Sequence, residues 1–359
     1  MLLAHKIELR PTADQANYLY QACGSRRFAY NQLLGHFSLE GMKWNKKEAQ
    51  EHIKYLRASF DFLQMFSTRV VRNTVDDLDN SYKRFFKKLG GFPKFAKKNV
   101  NESFAIREKE KLKVNGRNFS FEKFPKNLKS IKMREKIRFN GVVKQVTISL
   151  RAGKWFASFL VETNDISKRK PSFENVGVDL GIKTLAVLSD GKEFPAHKSF
   201  RIRESKLRKL NKKLSRQVKD SSNWKATKKK IQRLHYFVSE SRKQALHELT
   251  SWLSKNYTDI AIEDLNVAGM VKNRKLSKSI IDSGFGMFKE QMKYKCLMYG
   301  SNLKIIDRWF PSSKLCSNCG NKKEELKLSE RIYKCSACGF EIDRDLNASI
   351  NIREEALKI

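Results

Sequence analysis

Four of the six cysteines fall in two pairs, Cys316-Ser-Asn-Cys319 and Cys335-Ser-Ala-Cys338, each followed by Gly and separated by fifteen residues. A C-x-x-C loop presents two thiolates to one ion, so two such loops at this spacing draw four sulfurs around a single point. The pattern predicts a small ribbon folded about one tetrahedral Zn²⁺ with no open coordination position, a scaffold rather than a reaction centre. A pair of reactive redox dithiols is the alternative, but it leaves the matched spacing unexplained. Cys23 and Cys296 stand alone, which fits a reducing compartment better than a disulfide framework.

The order of elements around the ribbon narrows the fold. From about residue 172, N-V-G-V-D-L-G-I-K-T-L-A-V-L-S-D-G-K-E-F reads as a buried strand, a second strand, an Asp-Gly turn and a third strand. Two long helices follow, the first with Leu207, Leu210, Leu214 and Val218 as its apolar stripe, the second from about Trp224 to Lys255. Then come a strand in T-D-I-A-I-E-D, a helix with Phe285, Phe288, Met292 and Cys296 on one stripe, a strand in N-L-K-I-I-D and, beyond the ribbon, a last helix from about Leu346. This is the order of an RNase H-like nuclease core. It is expected over 172–312 with a basic helical hairpin at 198–255, interrupted by the ribbon at 313–341 and completed at 342–359.

Upstream, residues 2–10 alternate like a strand, and Thr12 with Gln15 three residues on resembles a capping box. Helical patterns run on to about residue 90 through Leu19, Phe28, Leu33, Tyr55, Phe62, Val70, Val75 and Leu78. Residues 100–163 alternate in short runs (F-A-I-R, L-K-V-N, F-S-F, I-R-F, V-K-Q-V-T-I-S-L, K-W-F-A-S-F-L-V-E), the signature of an antiparallel barrel or sandwich. If the first strand, 1–11, joins the sheet of 100–168, the helical block 12–99 is an insertion into a β domain.

Three carboxylates sit where an ionised group is costly unless paired or bound to metal. Asp179 lies inside the first apolar strand of the core, Glu263 ends the fourth, and Asp345 opens the last helix. Singly, each has a plain role: a buried acceptor, a salt-bridge partner, a helix cap. Together they meet at one edge of one sheet, the arrangement that binds two Mg²⁺ for phosphodiester hydrolysis. Asp264 should point to the opposite face of the strand from Glu263 or into the loop, and Asp343, two residues before Asp345, could assist but does not share a helical face with it.

Charge identifies the kind of partner. With 74 Lys+Arg against 38 Asp+Glu the chain carries a net +36, which points to a polyanion. Between Lys198 and Arg233 there are fifteen basic residues, Arg208 and Lys212 among them, and two acids, as expected of helices lining a nucleic-acid channel. From Tyr82 to Lys98 aromatics alternate with Lys83, Arg84, Lys87, Lys88, Lys94 and two further lysines around a Gly-Gly-x-Pro turn, a pattern suited to holding phosphates and stacking bases. No apolar run reaches the roughly 18 residues of a membrane span, and charge interrupts the opening before a signal core forms. A soluble, unprocessed, cytoplasmic chain without a membrane partner is expected.

The combination G-V-D-L-G-I-K, A-I-E-D-L-N, P-S-S-K-L-C-S-N-C-G, C-S-A-C-G-F and D-R-D-L-N-A-S-I-N-I closely resembles the TnpB family of insertion-sequence proteins, relatives of the type V CRISPR effectors. K-I-E-L-R-P-T-A-D-Q, C-G-S-R-R-F-A-Y-N-Q-L-L and G-F-P-K-F extend the resemblance over essentially the whole chain. It implies a multidomain α/β protein: a wedge β-barrel carrying an inserted helical recognition lobe, then a RuvC-like nuclease interrupted by a zinc ribbon. It also implies an RNA-guided DNA endonuclease of prokaryotes, acting at the nucleoid, with a guide RNA from the transposon end. Its double-stranded DNA target would be licensed by a short flanking motif. The family's metal-binding acids fall on Asp179, Glu263 and Asp345, and on the same analogy Arg26, Arg27 and Asn31 become candidates for nucleic-acid contact. A DNA transposase or accessory transposition protein using the same acids, and a nuclease-inactive RNA-guided DNA-binding regulator, are the competing readings.

Overall fold

The computed structural model describes residues 1–164, 171–327 and 329–359. The chain divides between residues 165 and 166 into two compact units. The end of the expected β domain, at 168, lies outside the described residues.

The first unit runs β1 (Leu2–Arg10), α1 (Ala13–His36), α2 (Lys46–Ser59), α3 (Thr68–Phe86), β2 (Ser103–Ile106), β3 (Leu112–Asn115), β4 (Asn118–Phe121), β5 (Ile131–Met133), β6 (Val142–Arg151) and β7 (Lys154–Glu162). Leu3, His5, Ile7 and Leu9 of β1 point inward by simple alternation. Among the described residues the strands form one antiparallel sheet ordered β2-β6-β7-β1-β5-β4-β3, with β1 running from Leu2↔Glu162 to Leu9↔Trp155 against β7. The three helices therefore leave and re-enter a single sheet. The capping box at the start of α1 forms: the Thr12 hydroxyl accepts from the Gln15 N–H, and the Gln15 carboxamide oxygen accepts from the Thr12 N–H. The same carboxamide donates to the carbonyls of Leu128 and Ser130, which ties the helix to the sheet. Phe104, Phe119, Ile148 and Phe159 fill the sheet core, while Leu33, Ile53, Val71 and Leu78 make a second core among the helices. One expected strand is displaced: I-R-F at 137–139 is irregular, and the sheet uses β5 instead, three residues too short to show an alternation.

The second unit runs β8 (Phe173–Leu180), β9 (Thr184–Leu188), β10 (Glu193–Pro195), α4 (Ser199–Ser215), α5 (Ser222–Asn256), β11 (Tyr257–Glu263), α6 (Val267–Val271), α7 (Ser277–Ser283), α8 (Phe285–Tyr299), β12 (Asn302–Ile306), β13 (Ile332–Lys334), β14 (Glu341–Asp343) and α9 (Arg344–Leu357). Its sheet is ordered β10-β9-β8-β11-β12, with β8, β10, β11 and β12 running in one direction and β9 antiparallel to them. Leu246, Leu249 and Leu253 of α5 and Phe288, Met292 and Cys296 of α8 cover one face over Val176, Val178, Ile260 and Ile262. The expected stripe of α4 is shorter than read: the helix ends at Ser215, and Val218 lies beyond it, 79% exposed.

The opposite face receives α9, and Gly177 decides how closely. A Cβ at Gly177 would lie 1.9 Å from the Ser349 carbonyl oxygen and 2.6 Å from the Arg353 nitrogen, so helix backbone rests on strand backbone. Gly177 and Asp179 share this face by the strand period, and Asp345 stands one helical turn before Ser349. Ala261 is paired with Gly177 across the parallel strands, so one period further Glu263 stands beside Asp179. We expect Gly177→Ala to lower unfolding free energy by about 2–3 kcal/mol through overpacking, read by urea denaturation. An unchanged midpoint would show that α9 does not rest on β8 in this way.

Candidate active site

Asp179, Glu263 and Asp345 come from three elements separated by about 80 residues each and converge at the ends of β8 and β11 and the start of α9. Burial pushes the Asp179 carboxyl up to about 8, and the negative charges of Glu263 and Asp345 push the same way. Among the described residues its side chain has no hydrogen-bond or ion-pair partner. Burial also raises Glu263, opposed by a short hydrogen bond from the Ser312 hydroxyl. Asp345 is not the cap of its helix. Asp343 is, accepting from the N–H groups of Asp345 and Leu346 at 2.9 and 3.0 Å, which leaves Asp345 free in the first turn, 3.7 Å from Arg331 and 3.9 Å from Arg344. Asp264 faces away as expected and is held by Lys289 and Arg308, which draw its carboxyl down to about 2.

Sequence reasoning missed the residues that hold this edge together. Asn351 donates to the carbonyls of Ser312 and Leu315, both at 2.8 Å, and Asn347 donates to Leu315 and accepts from the Ser317 N–H. The two asparagines are four apart on α9 and buried, so they present one polar row toward the P-S-S-K-L-C-S segment. That spacing was the available signal. Three carboxylates offer hard oxygen donors suited to a divalent cation such as Mg²⁺, and a half-buried carboxylate without a protein partner is what such an ion would satisfy.

Asp179 and Asp345 line a cleft of about 790 Å³ within the second unit, rimmed by Lys183, Lys198, Arg201, Lys275, Lys278 and Arg331. Of the basic hairpin, Arg208 is 3.7 Å from Glu204 and mostly exposed, and Lys212 is exposed without an ion-pair partner among the described residues.

The four expected cysteines converge. Their sulfurs lie within 4.8 Å of one another, with Cys316–Cys338 at 3.7 Å and Cys319–Cys335 at 3.6 Å, and none is in a disulfide. Metal–sulfur bonds of about 2.3 Å in a tetrahedron put sulfurs about 3.8 Å apart, so the cluster fits Zn²⁺. Each loop closes by a glycine N–H donating back to the first cysteine's carbonyl, and Gly320 and Gly339 adopt φ near +74° and +73°, a conformation that favours glycine. Among the described residues this is the one group of three or more His, Cys, Asp or Glu drawn so close; the three carboxylates are spaced more widely.

In the first unit the candidates divide. Arg26 makes a two-point contact with Asp77, Arg27 binds both oxygens of Glu102, and Asn31 brackets the backbone of Ala96 with bonds of 3.0 and 2.7 Å. All three side chains serve the fold. Lys83 pairs with Asp79 and Arg84 reaches the Leu89 carbonyl, whereas Lys87, Lys88 and Lys94 are exposed without ion-pair partners among the described residues. Phe86, Leu89, Phe92 and Phe95 beside them are exposed as well, so this segment is not a buried helix end.

Comparison with known proteins follows the same lines. A family described as "Probable transposase" matches residues 158–274, "Cas12f1-like, TNB domain" matches 285–352, and "Helix-turn-helix domain" matches 1–36. "Putative RNA-guided DNA endonuclease InsQ" of Escherichia coli (strain K12) is 33% identical over 373 residues, spanning 98% of this chain and 91% of its own. The chain belongs to the TnpB family. A second relative, "Putative RNA-guided DNA endonuclease" of Streptomyces pristinaespiralis, is 31% identical over 97% of this chain and 88% of its own. In fold alone the chain is similar to CasPhi-2 (Cas12j) bound to crRNA, with a TM-score of 0.50 at 10% identity over 99% of this chain and 98% of that one. Over residues 1–36 this member has a strand and one continuous helix rather than a helix pair. Among the described residues no helix is long and apolar enough to cross a membrane.

Two outcomes follow from the geometry. The folded-state pKa of Asp179 lies above its ordinary 3.8, so the folded chain holds the extra proton between pH 4 and about 8. Without divalent cation, stability is then lost as pH rises through that window. Asp179→Asn should match wild type at pH 4 and exceed it at pH 8 in thermal unfolding; equal curves would place the carboxylate in water. Cys335→Ser should release about one zinc per chain to a colorimetric chelator and expose the ribbon to protease, and retention of full zinc content would show that the sulfurs are not its ligands.

Proposed function

We propose that this chain is an RNA-guided DNA endonuclease with a RuvC-like reaction centre at Asp179, Glu263 and Asp345. The observation that carries the reading is the meeting of three carboxylates from distant elements on one sheet face, one of them half-buried and without a partner among the described residues, beside a cleft rimmed with cations. The strand order of the second unit, with its second strand in sequence, β9, antiparallel to the other four, supports an RNase H-like core. The sheet of the first unit would be the wedge, and α1 to α3 with the segment to residue 99 the recognition lobe.

When bound, two Mg²⁺ would supply activation of a water and stabilisation of the leaving oxygen. The chain's own part is to hold the carboxylates in place. Gly177 admits α9 at Ser349 and Arg353, Ser312 orients Glu263, and Asp343 takes the cap and leaves Asp345 free of that role. Lys198, Arg201, Lys275 and Lys278 would hold the DNA backbone, while Lys87, Lys88 and Lys94 with the exposed phenylalanines suit RNA with unpaired bases. Pairing with a guide RNA from the transposon end would read sequence, and the protein would read a short flanking motif on the duplex. The intact acids favour cleavage over a silent DNA-binding regulator. A DNA-joining transposase gains no specific support.

The test is cleavage by the protein purified with its co-purifying RNA, Mg²⁺ and a library of duplex targets. Wild type should cut in an RNA-dependent manner, and Asp179→Ala should lower the rate by orders of magnitude. If Asp179→Ala cuts as well as wild type, the mechanism is wrong. Arg201→Glu with Lys275→Glu should weaken DNA binding and flatten its log–log salt slope by about 0.9 for each phosphate that is no longer neutralised.

A further inference from the structure

Trp309 is 84% exposed, the most exposed large apolar side chain among the described residues. Its neighbour Phe310 turns inward against Ala261, Ile306, Ile352 and Ala356, so the loop after β12 has an apolar side chain for its core and a second one left outside. The loop is also firmly held. The Trp309 N–H donates to the Asp307 carboxylate at 2.7 Å, the Phe310 N–H to the Asp307 carbonyl, and the Ser312 N–H to the Phe310 carbonyl.

Both flanks are anchored at the acid edge. On one side Arg308 binds Asp264, the residue after Glu263; on the other Ser312 donates to Glu263 itself. Three residues of chain span at most about 11 Å, so the Trp309 backbone stands within that distance of Ser312, the residue bonded to Glu263, on a loop with little freedom. Arg308, the residue before Trp309, and Lys289 are both paired with Asp264 at this edge. A water-exposed indole on a backbone held at both flanks beside the acid edge has the properties of a platform for an unstacked base, since every base offers a π-face and stacking needs no base-specific hydrogen bond.

We propose that Trp309 is a positioning residue for the DNA strand in the reaction centre, stacking on a base near the phosphate held at the acids. This rests on the nuclease reading above. The stacked base has to be unpaired, so the strand is single-stranded when it reaches the centre. Substitution should therefore act on strand binding at this site irrespective of base sequence.

The experiment uses the full chain with its co-purified RNA in buffer without divalent cation, and short single-stranded DNA carrying 2-aminopurine at successive positions. Binding should quench the fluorophore at one or two adjacent positions. Trp309→Ala should remove that quenching and weaken binding about tenfold, whereas Trp309→Phe should keep most of both. With Mg²⁺, Trp309→Ala should raise KM for the single strand with a smaller change in kcat. Quenching that is absent in wild type, or equal in wild type and Trp309→Ala, overturns the proposal. These fluorescence arms need no cleavage, so they distinguish its failure from failure of the nuclease reading, which would appear as wild-type protein that binds and never cuts.

Discussion

Asp179 stands where a carboxylate is hardest to accommodate: inside an apolar strand, beside two other acids, without a partner among the described residues. Three carboxylates converging in a partly desolvated place resist ionising together, and the surrounding structure is arranged to hold them there. Neighbouring β8 and β11 fix Asp179 and Glu263 side by side through parallel register, which no side-chain repulsion can undo without breaking the ladder. Ser312 fixes Glu263 in orientation. What remains is to bring the third acid in from outside the sheet, and that falls to α9.

That helix does several things at once. It rests on β8 at Gly177, where only hydrogen fits, and its first turn carries Asp345. Its buried Asn347 and Asn351 hold residues 312–317, which contain both the serine on Glu263 and the first cysteine of the ribbon. The ribbon's last strand ends at Asp343, the cap of the same helix. The four-sulfur cluster and the acid edge are therefore linked by a few hydrogen bonds and one cap, so a scaffold without catalytic groups of its own sets where Asp345 stands.

Much of this was legible in the residues. The two C-x-x-C-G loops announced themselves because metal geometry constrains spacing directly, and β1, the capping box and the stripe of α8 follow from periodicities of two and 3.6. The parts that were not legible share a cause. Asp343 and Asp345 both suit a helix start, and only the backbone geometry says which one caps. Arg26, Arg27 and Asn31 read as open contacts because their partners Asp77, Glu102 and Ala96 lie 51, 75 and 65 residues away. Strand β5 is too short to display a period, and Val218 continued a stripe past the point where the helix had stopped. In each case a long-range partner or a terminus decided, and neither has a local signature.

The distribution of charge gives the burial of Asp179 a further meaning. In a chain with 74 basic and 38 acidic residues, a carboxylate that a lysine or arginine can reach is soon paired with it. This happens to Glu204 with Lys278, to Asp282 with Arg242 and to Asp264 with Lys289 and Arg308. A carboxylate so neutralised is a poor ligand for a cation arriving from solution. Placing Asp179 on a strand face under a close-packed helix keeps it out of reach of those side chains, at the cost of desolvation that raises its pKa. Arg331 and Arg344 stay 3.7 and 3.9 Å from Asp345, beyond the range of a close hydrogen-bonded pair. The apolar setting of the acids is thus what lets so basic a protein keep carboxylates available to a metal ion.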